Sequence, residues 1–320
     1  MCKIPLNKGG EDMEEKKMGA CILCPIYEKE RDFNYALEFY ASKLKYKIKD
    51  DLIFVFSYDE HKQHFEEKFH IKFPGEQLKY LVIPDELNKY KSPVTVKKLF
   101  GVFSLYKEYN FIGVVDCECL FTKSTNLNDI FEEIWNKQSF LFANRSYLLH
   151  DILKTTVKRM DLLGNEELRK DTSNYLYNCW FCDIPVYNSV NIEEFKDWLY
   201  QKNVDELFND RKITDYYLYV LFLYLEKGYR FKKINYWSPW GIMEDVAYTH
   251  PKKCDYIENE IGTHWTSNPE SKNANAVIRF HRDHQIPKKE FKKFLWESRL
   301  KYIGRRYLPF LIKIKNWAKI

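Results

Sequence analysis

A chain of 320 residues with 45% apolar residues can bury a sizeable core, which excludes wholesale disorder. Gly and Pro number only 11 each against 24 Tyr and 23 Phe, which excludes fibrous and loop-dominated classes. The net charge of +5 is unevenly placed: residues 285–320 hold eleven Lys and Arg against Glu290 and Glu297, so they carry +9 and residues 1–284 carry −4.

Residues 1–18 are mostly charged and polar, and read as a flexible lead-in without the apolar stretch of a secretory signal. "MGACILCPIY" (18–27) reads as a buried strand, and apolar residues at helical spacing predict a helix over 32–44. "DLIFVFSYD" (51–59) is a second strand, 60–70 is a short helix in one of two readings, and "LKYLVIPDE" (78–86) is a third strand. Ser92 and Pro93 open a helix over 92–109. That helix leads into "FIGVVDCECLF" (111–121), an apolar strand ending on Asp116 and Glu118. Beyond it, helices are expected at 126–137, 147–163, 191–208 and 214–227, and strands near 139–143, 175–184 and 229–236. The apolar run "YYLYVLFLYL" (216–225) is too short to cross a bilayer and reads as a buried helix. The expectation is a cytoplasmic protein, at most peripheral to the inner face of the membrane.

Apolar strands alternating with amphipathic helices predict a mostly parallel sheet covered on both faces, with its ligand crevice outside the carboxyl ends of the strands. No low-complexity linker splits the chain, so one compact domain to about residue 285 precedes a basic tail. Two Cys-x-x-Cys pairs, Cys21/Cys24 and Cys179/Cys182, have zinc-like spacing but lie in apolar, strand-like contexts. Residues i and i+3 of a strand face opposite sides, so these thiols are read as buried and free.

Two carboxylates at i and i+2 of a strand point the same way and can share a hard divalent cation, Mg²⁺ or Mn²⁺. At its place after the fourth strand, this D-x-E resembles the D-x-D motif of GT-A nucleotide-sugar glycosyltransferases, with Glu118 in the place of the commoner second Asp. The resemblance is one of pattern and covers about residues 20–125. It implies a GT-A-like α/β domain over 19–285, with a nucleotide-binding half (19–125) and an acceptor-binding half (126–285). Asp116 and Glu118 would hold Mn²⁺ or Mg²⁺ on the diphosphate of a nucleotide-sugar, most simply a UDP-sugar. Pro25 and Tyr27 would line the base pocket, Asp59 would meet base or ribose, and Lys97 and Lys98 would reach diphosphate oxygens.

"NYWSPWGIMEDVAYTHP" (235–251) supplies Asp245 and Glu244 as candidates for the carboxylate that takes the acceptor proton. "NAVIRFHRDHQIP" (275–287) ends an apolar run on His281 and His284; by the same resemblance His281 would be a third metal ligand, or instead Arg279 and Arg282 would contact phosphate. Asp183 could meet donor or acceptor hydroxyls. In the tail (286–320), Phe310, Leu311, Ile314, Trp317 and Ala318 share one helical face and Lys313, Lys315 and Lys319 the other. A basic amphipathic helix of this kind suits an anionic membrane surface, or packs on the domain with a solvated face.

The implied function is metal-dependent sugar transfer to a glycan or lipid-linked acceptor, as in capsule or lipopolysaccharide synthesis. A nucleic-acid-binding protein using the tail is one alternative, but the acidic first 284 residues give it no role and no nucleic-acid partner is expected. A sugar nucleotidyltransferase is another, and "CPIYEKERDF" lacks the glycine its phosphate loop would need.

Overall fold

The computed structural model describes residues 18–27, 29–121, 124–137, 142–143, 155–162, 165–166, 179–180, 185–211, 213–229 and 277–279. Most of the expected strand at 229–236 lies outside these residues. So do Glu244, Asp245, Asp183, His281, Arg282, His284 and the whole tail.

The first half follows the predicted order. Strand β1 (Met18–Pro25) leads to α1 (Glu30–Lys45), β2 (Asp51–Phe56), α2 (Asp59–Lys72), β3 (Lys79–Val82), α3 (Pro93–Leu105) and β4 (Tyr109–Val114). Helix α3 starts at Pro93, where the missing N–H costs nothing. After β4 come β5 (Cys119–Phe121), α4 (Leu127–Lys137), β6 (Phe142–Ala143), β7 (Cys179–Trp180) and β8 (Val186–Asn188). A 3₁₀ turn at Ser189–Asn191 opens α5 (Ile192–Tyr200), followed by α6 (Val204–Phe208), α7 (Asp215–Glu226) and β9 (Val277–Arg279). The predicted helix over 191–208 is therefore two helices. The first ends at Tyr200, and Asn203 caps the second, its side-chain oxygen accepting from the Glu206 N–H. Of the helix predicted at 147–163, residues 155–159 are helical.

Five strands form the central sheet in the order β3-β2-β1-β4-β8. All pair in parallel except β8, which runs antiparallel to β4. This is the mostly parallel, helix-flanked sheet that the GT-A resemblance implies. Strand alternation divides the core into two layers. Cys21 and Leu23 of β1, with Ile53 and Val55 of β2, join the cluster under α3, α5 and α7. Ala20, Ile22 and Cys24, with Leu52, Phe54 and Phe56, join the cluster under α1, α2 and α4. Cys21 and Cys24 thus lie on opposite faces, buried and free, as the period of two requires.

Helix α7 is buried from Asp215 to Tyr224, which is why its sequence is apolar all round. Helix α3 lies close on β1 because residue 101 is glycine: a Cβ there would stand 2.5 Å from Leu23 Cδ2. Among the described residues, no helix is long and apolar enough to span a membrane.

A candidate active site at the carboxyl edge of the sheet

The chain leaves β1 to build β2 and β3 on one side, and returns to build β4 on the other. The carboxyl ends of β1 and β4 therefore flank a topological switch point, where an open α/β sheet leaves a crevice. Pro25, Ile26 and Tyr27 end one side of that crevice, and Val115 and Asp116 end the other. The Val115 N–H still bonds the Leu23 carbonyl at 3.0 Å, so the two ends stay in register to this point.

Here the structure departs from the sequence reading. Asp116 and Glu118 are not on a strand; they occupy a turn between β4 and β5, closed by the Cys119 N–H on the Asp116 carbonyl at 3.2 Å. The run looked like one strand because Cys117, Cys119 and Phe121 are buried on alternate positions. The turn re-aims the chain, and β5 pairs with β9 outside the main sheet. The i, i+2 argument for a shared face lapses, since alternation holds only in extended backbone. Both residues remain at the crevice because the turn itself is there.

Around this turn negative charge accumulates. Burial pushes the Cys117 thiol well above its ordinary value, and the carboxylates of Glu118, Asp32 and Asp116 push in the same direction. Asp32 belongs to the first turn of α1 and is buried beside Arg31. On the other side stands Lys98 of α3, its Nζ 3.2 Å from Asp116 Oδ1, both groups largely shielded from water.

The two adjacent lysines of α3 have different places. Lys97 is buried, its Nζ donating to the Ile26 carbonyl at 2.7 Å and lying 5.8 Å from the Tyr27 ring centroid, so it ties α3 to the end of β1. Lys98 is the one that lines the open cleft beside the turn.

That cleft, about 450 Å³, is bounded by Tyr27, the first turn of α3 (Ser92 to Thr95), Lys98, and the segment entering α7 (Arg211, Ile213, Thr214, Asp215), with Lys91 at its margin. Two bonds hold these walls together: the Thr95 hydroxyl donates to the Ile213 carbonyl at 2.8 Å, and the Ser92 N–H to the Phe208 carbonyl at 3.0 Å. Asp215, absent from the sequence reading, is the carboxylate that this packing brings to the site. Only 4% of it is exposed, and its Oδ2 accepts from the Tyr187 hydroxyl at 2.8 Å. Burial raises its pKa, opposed by the Lys98 charge and the Tyr187 bond and reinforced by Asp116. One signal was available: an acid placed directly before a run of ten apolar residues is either a helix start or a buried functional group.

Asp59 begins α2 at the same edge, beyond β2, and is exposed. Arg279 pairs in register with Cys119, so β9 lies beside the acidic turn. Among the described residues no three His, Cys, Asp or Glu side chains are grouped to hold a metal ion unaided. Two hard carboxylates nevertheless suit Mg²⁺ or Mn²⁺, which take one or two protein oxygens and complete their shell with phosphate and water.

No family model and no curated protein matches the sequence. Solved structures do resemble the fold. Core-mannan synthase A (CmsA/Ktr4) from Aspergillus fumigatus, in an Mn/GDP form, is 10% identical over 67% of this chain and 71% of its own, with a TM-score of 0.37. Mouse xyloside xylosyltransferase 1, in its apo form, is 12% identical over 84% of this chain and 100% of its own, with a TM-score of 0.39. The mannosyltransferase Ktr4p from S. cerevisiae, in complex with GDP, is 10% identical over 64% and 66%, with a TM-score of 0.36.

Proposed function

We propose that this chain is a metal-dependent glycosyltransferase of GT-A type, moving a sugar from a nucleotide-sugar, a UDP-sugar in the first instance, to a glycan or lipid-linked acceptor. The observation that carries the reading is the acidic turn Asp116–Glu118 at the switch point, with the Lys98 ammonium 3.2 Å from Asp116. A carboxylate pair and a cation at the mouth of one crevice match a substrate that is itself a diphosphate bound to a divalent ion.

In this reading Asp116 and Glu118 would hold Mn²⁺ or Mg²⁺, which would supply positive charge to the donor diphosphate. Lys98 adds a second positive charge at the same place. It neutralises Asp116 in the structure, and in this reading would share its charge with a phosphate oxygen of the donor. The end of β1 offers Pro25 and Tyr27 to the base, held by the Lys97–Ile26 bond, and Asp59 starts α2 on the same edge of the sheet. Asp215 faces the cleft from the opposite wall. Its raised pKa makes it a stronger base than an exposed aspartate, suited to take the acceptor hydroxyl proton or to orient that hydroxyl. Asp245 and Glu244 are the alternative bases and His281 the further ligand. The basic tail is read as the part that meets an anionic membrane surface, which places the work at the inner face, on a surface polysaccharide.

Calorimetric titration with UDP, GDP and CDP, each with Mn²⁺ and with EDTA, tests the reading. One nucleotide binds, needs the metal, and loses at least tenfold in affinity in Asp116→Asn. Metal-independent binding, or binding indifferent to Asp116, would sink the assignment.

A further inference from the structure

The charges that line the cleft do not cancel. Around it the chain pairs its cations carefully: Lys89 lies 3.7 Å from Asp205, and Arg159 reaches both Glu206 at 2.8 Å and Asp210 at 2.9 Å. Lys98, deeper in the cleft, is beside Asp116 and acts on Asp215. Lys91 and Arg211 are different. Both line the cleft, both are exposed, and neither has a carboxylate partner among the described residues. They stand on separate segments, one leading into α3 and the other into α7, and the Thr95–Ile213 bond fixes those segments against each other.

Their depth separates them from the diphosphate position. Lys98 lies five residues inside α3 from Pro93, about 7–8 Å along the helix at ~1.5 Å of rise per residue, and Lys91 precedes the helix start. Arg211 precedes Asp215 by four residues on the segment that leads into α7. Two cations without counter-charges among the described residues, on two adjoining segments of one open cleft whose lining does not include the acidic turn, form a receptor for negative charge on whatever enters over Asp215.

We infer that Lys91 and Arg211 bind an anionic group, a phosphate or a carboxylate, carried by the acceptor rather than by the donor diphosphate. The inference rests on the transferase reading for the word acceptor, and on the cleft alone for the anion site. An acceptor so held presents a hydroxyl to Asp215 while its charged group stays at the mouth. Neutral sugars lack this anchor, so acceptors bearing phosphate or carboxylate are selected over them.

The experiment is titration of the full chain with inorganic phosphate and with sodium acetate at low ionic strength, alone and with saturating UDP or GDP and Mn²⁺. It is repeated on Lys91→Glu, Arg211→Glu and, as a control of equal charge change at the far end of α3, Lys107→Glu. Phosphate or acetate binds, the nucleotide leaves that binding in place, and each cleft variant weakens it about tenfold or more while Lys107→Glu does not. Preference for one probe tells a phosphorylated acceptor from a carboxylated one. Unchanged melting temperatures show that the exposed variants are folded. The inference is overturned by displacement of the anion by nucleotide, which would return both cations to the donor, by equal loss in Lys107→Glu, or by no anion binding at all. Anion binding that needs Arg211 in a chain that binds no nucleotide would keep the anion site and end the transferase reading.

Discussion

The two ends of the central sheet carry similar residues and use them differently. At the amino edge, Asp51 accepts from the Tyr109 hydroxyl at 2.5 Å and from Lys79 Nζ at 2.7 Å, joining the starts of β2, β3 and β4 in one closed network. At the carboxyl edge, Lys98 and Asp215 line an open cleft, Asp116 stands 3.2 Å from Lys98, and Lys91 and Arg211 add charge without described counter-ions. Asp51 uses its carboxylate to join three strands, whereas Lys98 and Asp215 keep a face on the cleft as well as their protein partners. On this difference rests the proposal that the carboxyl edge is the working end.

The sharpest way to break this contrast is at Asp215. Replacement by Asn is expected to lower the rate of sugar transfer about 10²–10⁴-fold, the ordinary scale for a lost general base, measured with whichever donor binds. The same variant should be more stable at pH 7. The folded pKa of Asp215 is raised, so its favourable contribution is present below the unfolded value and is lost as pH rises through the folded one. The Asn side chain does not titrate. Its melting temperature should exceed that of the parent at pH 7 and converge with it on acidification toward the ordinary aspartate range. A lower melting temperature at pH 7 would show that Asp215 is a structural group like Asp51.

A smaller effect is expected from Gly101→Val. The first added carbon already meets Leu23 at 2.5 Å, so the Leu23 side chain must turn aside or α3 move off β1, at an expected cost of about 1–3 kcal/mol in denaturant unfolding. Because α3 carries both Lys98 and the cleft wall, nucleotide affinity should fall with it. A loss of stability with unaltered affinity would mean that the edge is built independently of this packing.

Tyr109→Phe acts at the other edge and should do the reverse. Removing one hydroxyl from Asp51 costs about 1–2 kcal/mol while Lys79 remains, and nucleotide binding is unchanged. A changed affinity would contradict the division between a structural and a working edge.

How legible the site was varied with the kind of signal. Pro25, Tyr27, Lys98 and Asp116 were singled out because they end strands or face one from a helix, and local pattern reports such positions. The turn at Asp116–Glu118 was hidden, because buried Cys117 and Cys119 continue the period of two across it. Lys97 and Lys98 were indistinguishable in a string. Their difference is a matter of which one meets the Ile26 carbonyl and which one the cleft. Asp215 was passed over since its neighbours read only as a buried helix. Nothing local reveals that Thr95, more than a hundred residues earlier, holds that helix start against α3.

The amino-acid sequence by itself determined the alternation of strands and helices in the first half, the burial of both faces of β1 and β2, and the opposed placement of Cys21 and Cys24. Those features follow from hydrophobic period and backbone propensity, which act over a few residues. Tertiary structure alone decided the strand order, hence the switch point, the break after β4, and the meeting of Asp116, Lys98 and Asp215. The reason is physical: charges separated by many residues in the chain become neighbours only when the core clusters of the two sheet faces close, and the pattern of local residues carries no record of that distance.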